Sequence, residues 1–412
     1  MAVGRRAGIA AVCGSAAESQ GSIEGCRTLM GRDSQAERPT LLILSFSAIA
    51  GDARVLKQVE AFRGDYAVTT VGYGPPPDGV AEHIRIPDDV QHNVLDDRYI
   101  TRRAYRRAYW TLWSVEWVRK NVPRRRWDVV LANDVEAVPI ALRLRPRKGV
   151  HADLHEYSPL LHEDWEGWRE RITPYVEWVC RRYLPKASSW TTVSKGLARE
   201  YEKNFGIRAE LVTNAAPYRE GEPTPVHHPV RLVHSGAAMG DRRLESLIAG
   251  VAGASTPVTL DLYLTLNQPA YVEQLREQAG ATNGRVRVLD PVPYSQLIET
   301  LRDYDIGVHL LAPTNFNNTW ALPNKLFDYV QARLGVIVGP TAEMAEYVEH
   351  HGLGAVADGF EPDDLARLLD ATTTPDVERW KDASARSARE LSAESQVEIW
   401  KTAIAKLAPP AG

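Results

Sequence analysis

Leu41-Leu42-Ile43-Leu44-Ser45-Phe46 leads into Gly51-Asp52-Ala53-Arg54, and Arg231-Leu232-Val233-His234 leads into Gly240-Asp241-Arg242-Arg243. Each is a short apolar run followed by a Gly-Asp turn and a basic pattern opening a helix. After the first, Val55, Leu56, Val59 and Phe62 recur at helical spacing from Asp52 to Phe62. Further strand-like runs follow at Ala67–Val71, Asp128–Leu131, Val150–Leu154, Trp190–Val193 and Glu210–Val212. After the second they follow at Val258–Leu264, Val286–Leu289, Ile306–Leu310 and Val336–Val338. Helical stretches separate most of them. Strands alternating with helices predict parallel sheets covered on both faces. The fold class is therefore α/β, with two doubly wound Rossmann-like parallel-sheet domains facing a cleft. In such sheets ligands bind beyond the carboxyl ends of the strands, so the loops after the strands are the places to search for function.

Between the halves, Pro217 to Pro229 holds four prolines and few apolar residues, which reads as a linker. The predicted divisions are a first domain at 40–218, a linker at 219–229, a second domain at 230–375 and a helical tail at 376–412. Residues 1–38 are rich in Ala, Gly, Ser and Arg without periodicity. They read as a disordered extension, or as an over-extended start with Met30 as the alternative first residue. Arg5 and Arg6 precede too short an apolar stretch for a secretory or twin-arginine signal.

With 25% charged and 44% hydrophobic residues, the chain has the composition of a globular protein. A formal net charge of -4 gives no global basic signal for nucleic acid. Cys13, Cys26 and Cys180 are too scattered for a disulfide framework or zinc site. No apolar run reaches the ~18 residues of a spanning helix. The expected location is cytoplasmic, with the inner face of the membrane as an alternative.

Ala321-Leu322-Pro323-Asn324-Lys325-Leu326-Phe327-Asp328-Tyr329 carries the chemistry. Pro323 suits the first helical position, because its missing N–H costs nothing there. Leu326, Tyr329, Val330 and Leu334 then form the buried side. A helix start presents free N–H groups and a positive dipole end. Lys325 in that first turn is unfavourable unless an anion binds beside it, and a diphosphate would reconcile the two. Asp328, three residues on, shares its face. A carboxylate there can accept from two vicinal sugar hydroxyls. The same spacing also fits a surface Lys–Asp pair on an ordinary helix.

This stretch resembles the donor-binding motif of family 4 glycosyltransferases, whose fold is called GT-B. Pro323, Lys325, Asp328, Tyr329 and Gly335 stand where that motif has Pro, Lys, Glu, Tyr and Gly. Supporting matches are Gly236, Arg242 to Glu245 and Gly352-Leu353-Gly354 in the second half. In the first half they are Asp52-Ala53-Arg54, Asn133-Asp134, Asp153 to Glu156 and Val193-Ser194. The resemblance implies a retaining enzyme that uses a UDP-, GDP- or dTDP-sugar and generally needs no metal. It implies that Lys325 and Arg242 hold the donor diphosphate and stabilise the leaving group, with His155 beside the reacting sugar. Gly236, Leu322, Asn324 and Asp328 complete the donor site, with Asp328 on the ribose. Gly51, Asp52, Arg54, Asn133, Asp134 and Glu156 are expected on the acceptor side. The tail helix is expected to cross back onto the first domain. The acceptor itself is left open: a glycan, a lipid-linked molecule or a small molecule.

The chain departs from the family pattern twice. Trp320 stands where a second Glu would be, eight residues before Asp328, and Ala237 follows Gly236 where Arg is common. Asn315, Asn317 and Asn318 are candidates to hold the donor sugar instead, and Arg243 is a substitute phosphate ligand. Residues 98–126 carry ten Arg or Lys, with Trp110, Trp113 and Trp117 at helical spacing. A basic aromatic helix of this kind can lie on an anionic membrane surface, or it can pack its aromatics inward with solvated arginines. Trp165, Trp168, Tyr175, Trp178 and Tyr183 read as core and acceptor wall. Competing readings are a GT-B sugar-nucleotide epimerase and a non-catalytic nucleotide-sugar-binding module. A nicotinamide-dependent dehydrogenase is disfavoured, because neither Leu41–Asp52 nor Arg231–Asp241 contains a Gly-x-Gly-x-x-Gly turn.

Overall fold

The structure, a computed structural model, describes residues 38–92 and 94–411. Cys13, Cys26, Met30 and the reading of residues 1–37 lie outside the described residues.

Two all-parallel sheets dominate. The first is seven-stranded: β1 (Thr40–Ala48), β2 (Ala67–Tyr73), β3 (Glu82–Arg85), β4 (Val129–Asn133), β5 (Gly149–Leu154), β6 (Ser189–Thr192) and β7 (Glu210–Leu211), in the order β3-β2-β1-β4-β5-β6-β7. The second is six-stranded: β8 (Val230–Ala237), β9 (Val258–Thr265), β10 (Val286–Leu289), β11 (Ile306–His309), β12 (Gly335–Val338) and β13 (Gly354–Val356), in the order β10-β9-β8-β11-β12-β13. The α/β class with two doubly wound parallel sheets is therefore observed. Each sheet reverses its strand order beside its own first strand, at β1/β4 and at β8/β11. Crevices beyond such switch points are where ligands bind in this class. The edge strand β3, too polar to stand out by periodicity, is an addition to the expected set.

Both halves leave their first strand by the same route. A single 3-10 turn, Ile49–Gly51 or Gly240–Arg242, precedes the helix Ala53–Phe62 or Leu244–Gly253. Asp52 caps the first of these helices, its carboxylate accepting from the Arg54 and Val55 amides at 3.1 Å each. The residues of that helix turned inward are Arg54, Val55, Gln58, Val59 and Phe62, so a polar pair replaces the expected Leu56.

The tail is two helices rather than one. Thr374–Ser387 packs beside β12, with Trp380 in the core of the second half. Ala393–Leu407 lies on the first sheet against Ala53–Phe62, burying Trp400 and Ile404 there. The segment 98–126 is likewise broken, into Asp97–Thr101, Tyr105–Trp110 and Trp113–Asn121. Arg103 at φ 52° and the extended Leu112 interrupt it. Tyr109 and Leu112 are buried, and Trp110 and Trp117 pack against the core. Trp113 alone of the three tryptophans is exposed, at 54%. No single amphipathic helix spans the segment, because its aromatics serve the fold. No helix among the described residues is long and apolar enough to cross a membrane.

Candidate active site

On the second sheet the site begins at Gly307 in β11. A Cβ there would run into the Tyr329 ring, so the bare strand lets the helix Asn324–Gln331 lie close against it. Pro323 is the residue before this helix rather than its first, with ψ at 155°, and its carbonyl accepts from the Leu326 amide at 3.3 Å. The helix stops at Gln331, so Leu334 is buried beyond it. Leu322 is buried in the same apolar cluster as Leu326 and Phe327, while Asn324 is half-buried at the helix start.

Lys325 turns towards Gly236 at the end of β8. Gly236 has φ 146°, and a Cβ on it would lie 2.5 Å from Lys325 Nζ and 2.8 Å from Cε. Glycine is thus what leaves the ammonium its place. Burial, then the charge of Arg242, push the Lys325 pKa down to about 8, and Asp328 offsets this only in part. Asp328 is itself buried, which raises its carboxyl to about 6 against the opposing charges of Lys57 and Lys325. Tyr294 donates to it at 3.4 Å. Below Lys325, the rings of His234 and His309 stand 5.4 Å apart. Burial and then the Lys325 charge depress both, His234 to about 3, so both are neutral. Arg242 Nη1 reaches Asn318 Oδ1 at 3.5 Å, and its nearest acid is Asp241 at 3.8 Å. Arg243 instead pairs with Glu361 at 3.1 Å. Two loosely countered cations therefore flank the free amide end of a helix, which is an anion site by construction.

On the first sheet, parallel register sets Asn133 beside Asp153 and Asp153 beside Thr191. Asp153 is fully buried and collects five donors besides His155. Arg54 Nε and Nη2 bind its two oxygens at 2.7 Å each, Gln58 Nε2 at 2.7 Å, Thr191 Oγ1 at 2.6 Å and Trp400 Nε1 at 3.3 Å. Burial works against its charge, but Arg54 and the hydrogen bonds more than offset this and hold the carboxyl well below its ordinary range. Arg54 also donates to Val212 O and Asn214 Oδ1 at 3.0 Å and lies over the Trp400 ring. Expected to meet acceptor, Arg54 is instead turned inward because a buried carboxylate needs its charge. Asn133 is also internal, exchanging hydrogen bonds with Gln58 at 2.9 and 3.0 Å. Asp52 is occupied as a cap, and Gly51 is exposed.

His155 follows β5 and stands on this network. Its Nδ1 is 3.2 Å from Asp134 Oδ2, and its Nε2 is 3.2 Å from Asp153 Oδ2 and 3.1 Å from Asn133 Oδ1. Burial alone would lower the imidazole, but Asp134 and Asp153 outweigh it and the net direction is upward. Burial raises Asp134 to about 7 and raises Glu156 as well. Asp134 is also held at φ 64°, and its carboxylate accepts the His155 amide at 2.9 Å. Both ring nitrogens are engaged by acceptors, which strengthens the hold of the imidazole on its proton.

The two halves face each other across these residues. The Arg242 charge is felt at Glu156, and the Lys57 charge at Asp328. Tyr157 N donates to Asn317 Oδ1 at 2.8 Å, and Phe316 N donates to Glu163. Gly196 sits against Trp320 with no room for a Cβ, and Arg199 lies 4.9 Å over the same ring. Trp320 and Asn317 are thus contacts between the halves, while Asn315 caps the turn Phe316–Thr319 and Asn318 bonds Thr314 and Arg242. The asparagines expected on the donor sugar are committed to the fold.

Sequence reasoning missed Lys57, Tyr294, His234 and His309. Only Lys57 left a signal, three residues after Arg54 on the same helix. It donates to Ala215 O, and burial lowers it to about 8. A cavity of about 470 Å³ opens beside Asp134 and Glu156 in the first half, walled in part by Trp165, Trp168 and Tyr175. Among the described residues no group of three or more His, Cys, Asp or Glu is placed to hold a metal.

Comparison with known proteins adds three findings. Residues 55–215 match the Glycosyltransferase Family 4 model. No curated protein matches the chain. Among solved structures, Anabaena Alr3699/HepE in complex with UDP and glucose is 14% identical with a TM-score of 0.64, over 90% of this chain and 100% of that one. WaaG, a glycosyltransferase involved in lipopolysaccharide biosynthesis, is 14% identical with a TM-score of 0.57, over 89% and 99%. An E. coli trehalose-6-phosphate protein bound with UDP-2-fluoro glucose is 10% identical with a TM-score of 0.59, over 88% and 98%. At these identities the likeness is one of fold, the GT-B architecture.

Proposed function

We propose that this GT-B chain, whose residues 55–215 match Glycosyltransferase Family 4, transfers a glycosyl group from a nucleoside-diphosphate sugar to an acceptor hydroxyl, with retention at the anomeric carbon. The carrying observation is Lys325: a half-buried ammonium, with the Arg242 charge beside it, at the free amide end of a helix. A diphosphate supplies the countercharge that these groups lack. Lys325 and Arg242 then stabilise the charge that grows on the departing nucleoside diphosphate. Asp328, ionised above its pKa of about 6, takes the ribose hydroxyls. The bond from the anomeric carbon to the diphosphate breaks, a bond to the acceptor oxygen forms on the same face, and the acceptor proton leaves on the phosphate. His155, when protonated, contributes positive charge beside the sugar. UDP is the first nucleotide to test, since the HepE and trehalose-6-phosphate structures hold UDP or a UDP-sugar.

A thermal-shift panel of nucleotide sugars identifies the donor, since a ligand that binds only the folded state stabilises it. With that donor, Lys325→Ala is expected to lower turnover more than tenfold, a loss above roughly 1.4 kcal/mol of transition-state stabilisation. Turnover near that of the unaltered protein would remove Lys325 from the mechanism. Donor incubated alone should stay unchanged, whereas an epimerase would convert it. The product anomer, read by NMR, tests retention.

A further inference from the structure

We propose that the acceptor is lipid-linked and that the cavity beside His155 houses its alkyl chain; this rests on the glycosyl-transfer reading above. The cavity, of about 470 Å³, has a mixed lining. Its polar part is Asp134, Glu136, Glu156, Ser158 and His162, and Asp134 holds His155, beside which an acceptor hydroxyl belongs. The remaining wall is mostly apolar, drawn from Leu112, Tyr175, Val176 and Val179 among others. Sugar hydroxyls against such a wall would lose hydrogen bonds to water without replacement, whereas a hydrocarbon chain gains by leaving water.

Exposed residues next in the chain to the lining repeat this chemistry. Leu95, Leu112 and Trp165 line the cavity. Their neighbours Val94 and Trp113, with Trp165 itself, are 45%, 54% and 62% exposed. These are three of the five large hydrophobic side chains exposed among the described residues. Arg102 and Arg103, between the helices Asp97–Thr101 and Tyr105–Trp110, and Arg106 and Arg107, on the second of them, are exposed. Exposed apolar side chains with exposed arginines close by in the chain suit an acceptor that arrives from an anionic bilayer.

The test uses the whole protein with butyl, hexyl and octyl β-glucosides below micelle formation and glucose as the tail-free control, read by tryptophan fluorescence from Trp165 and Trp168. Affinity should rise roughly three- to fourfold per added methylene, and glucose at equal concentration should give no change. Val176→Trp, which fills the cavity, should weaken octyl glucoside at least tenfold while leaving UDP affinity by calorimetry unchanged. Ile172→Trp serves the same purpose should the first variant melt early. Affinity independent of chain length, binding of glucose equal to octyl glucoside, or octyl binding within twofold of wild type in a folded filling variant would each overturn the proposal. Failure of wild-type protein to bind any nucleotide would sink the transfer reading instead, and the chain-length series separates the two.

Discussion

Replacing Gly236 by alanine isolates the placement of Lys325. The added Cβ would lie 2.5 Å from Nζ, whereas ordinary contact begins at 3.4 Å, so the ammonium must retreat by about 0.9 Å. At an effective dielectric of about 20, moving a unit charge from roughly 3 to roughly 4 Å from a phosphate oxygen loses about 1.4 kcal/mol, or tenfold. Misplacement by about 1 Å in a positioned site can cost up to roughly 100-fold. A loss of ten- to 100-fold in kcat/KM is therefore expected, with UDP affinity weakened in the same direction. The φ of 146° adds backbone strain of about 1–3 kcal/mol, visible as a lower Tm, so assays belong well below the melting range. Gly64→Ala is the matched control: it lies exposed in the turn after the helix Ala53–Phe62, carries no role in either binding site, and a Cβ there meets nothing within 4 Å. It should be close to neutral. A folded Gly236→Ala protein with kcat/KM within threefold of wild type would refute the reasoning, because the ammonium would then not need the position the glycine leaves open.

The pH profile of kcat/KM should be bell-shaped in the free enzyme. Its acid limb appears as Asp328 is protonated below about 6, and its alkaline limb as Lys325 loses its proton above about 8. Lys325→Arg should move the alkaline limb upward, and an unmoved limb would assign it to another group. Arg54→Ala leaves the Asp153 charge buried without its main partner and should cost about 3–5 kcal/mol in urea unfolding at neutral pH. The Asp153 pKa is depressed on folding, so its contribution is present above the ordinary carboxylate range and fades as pH falls; a penalty that persists undiminished at low pH would contradict the ion-pair account. Asp153→Asn should lower the His155 pKa, followed as an imidazole NMR titration identified by its loss in His155→Gln. An unchanged titration would mean that Asp153 does not hold that proton.

Much of this protein was legible in the chain because strand and helix periods are local properties. Eleven apolar runs gave parallel strands in register, and the paired Gly-Asp turns gave the matching crossover after each first strand. Lys325 was legible for the same reason: a cation in the first turn of a helix is a conflict visible within nine residues. What a side chain faces is not local. Arg54 read as an acceptor contact because its partner Asp153 lies 99 positions away, and only sheet packing joins them. Asn317 looked free to hold sugar, but it meets the other half of the chain, as does Trp320. The aromatic run at 98–126 carried a helical period, yet its continuity was decided by what Tyr109 and Leu112 must fill. The cavity draws its wall from three stretches between Leu95 and Val179. Local sequence determined which elements form; burial, which sums over distant segments, decided where their charges point.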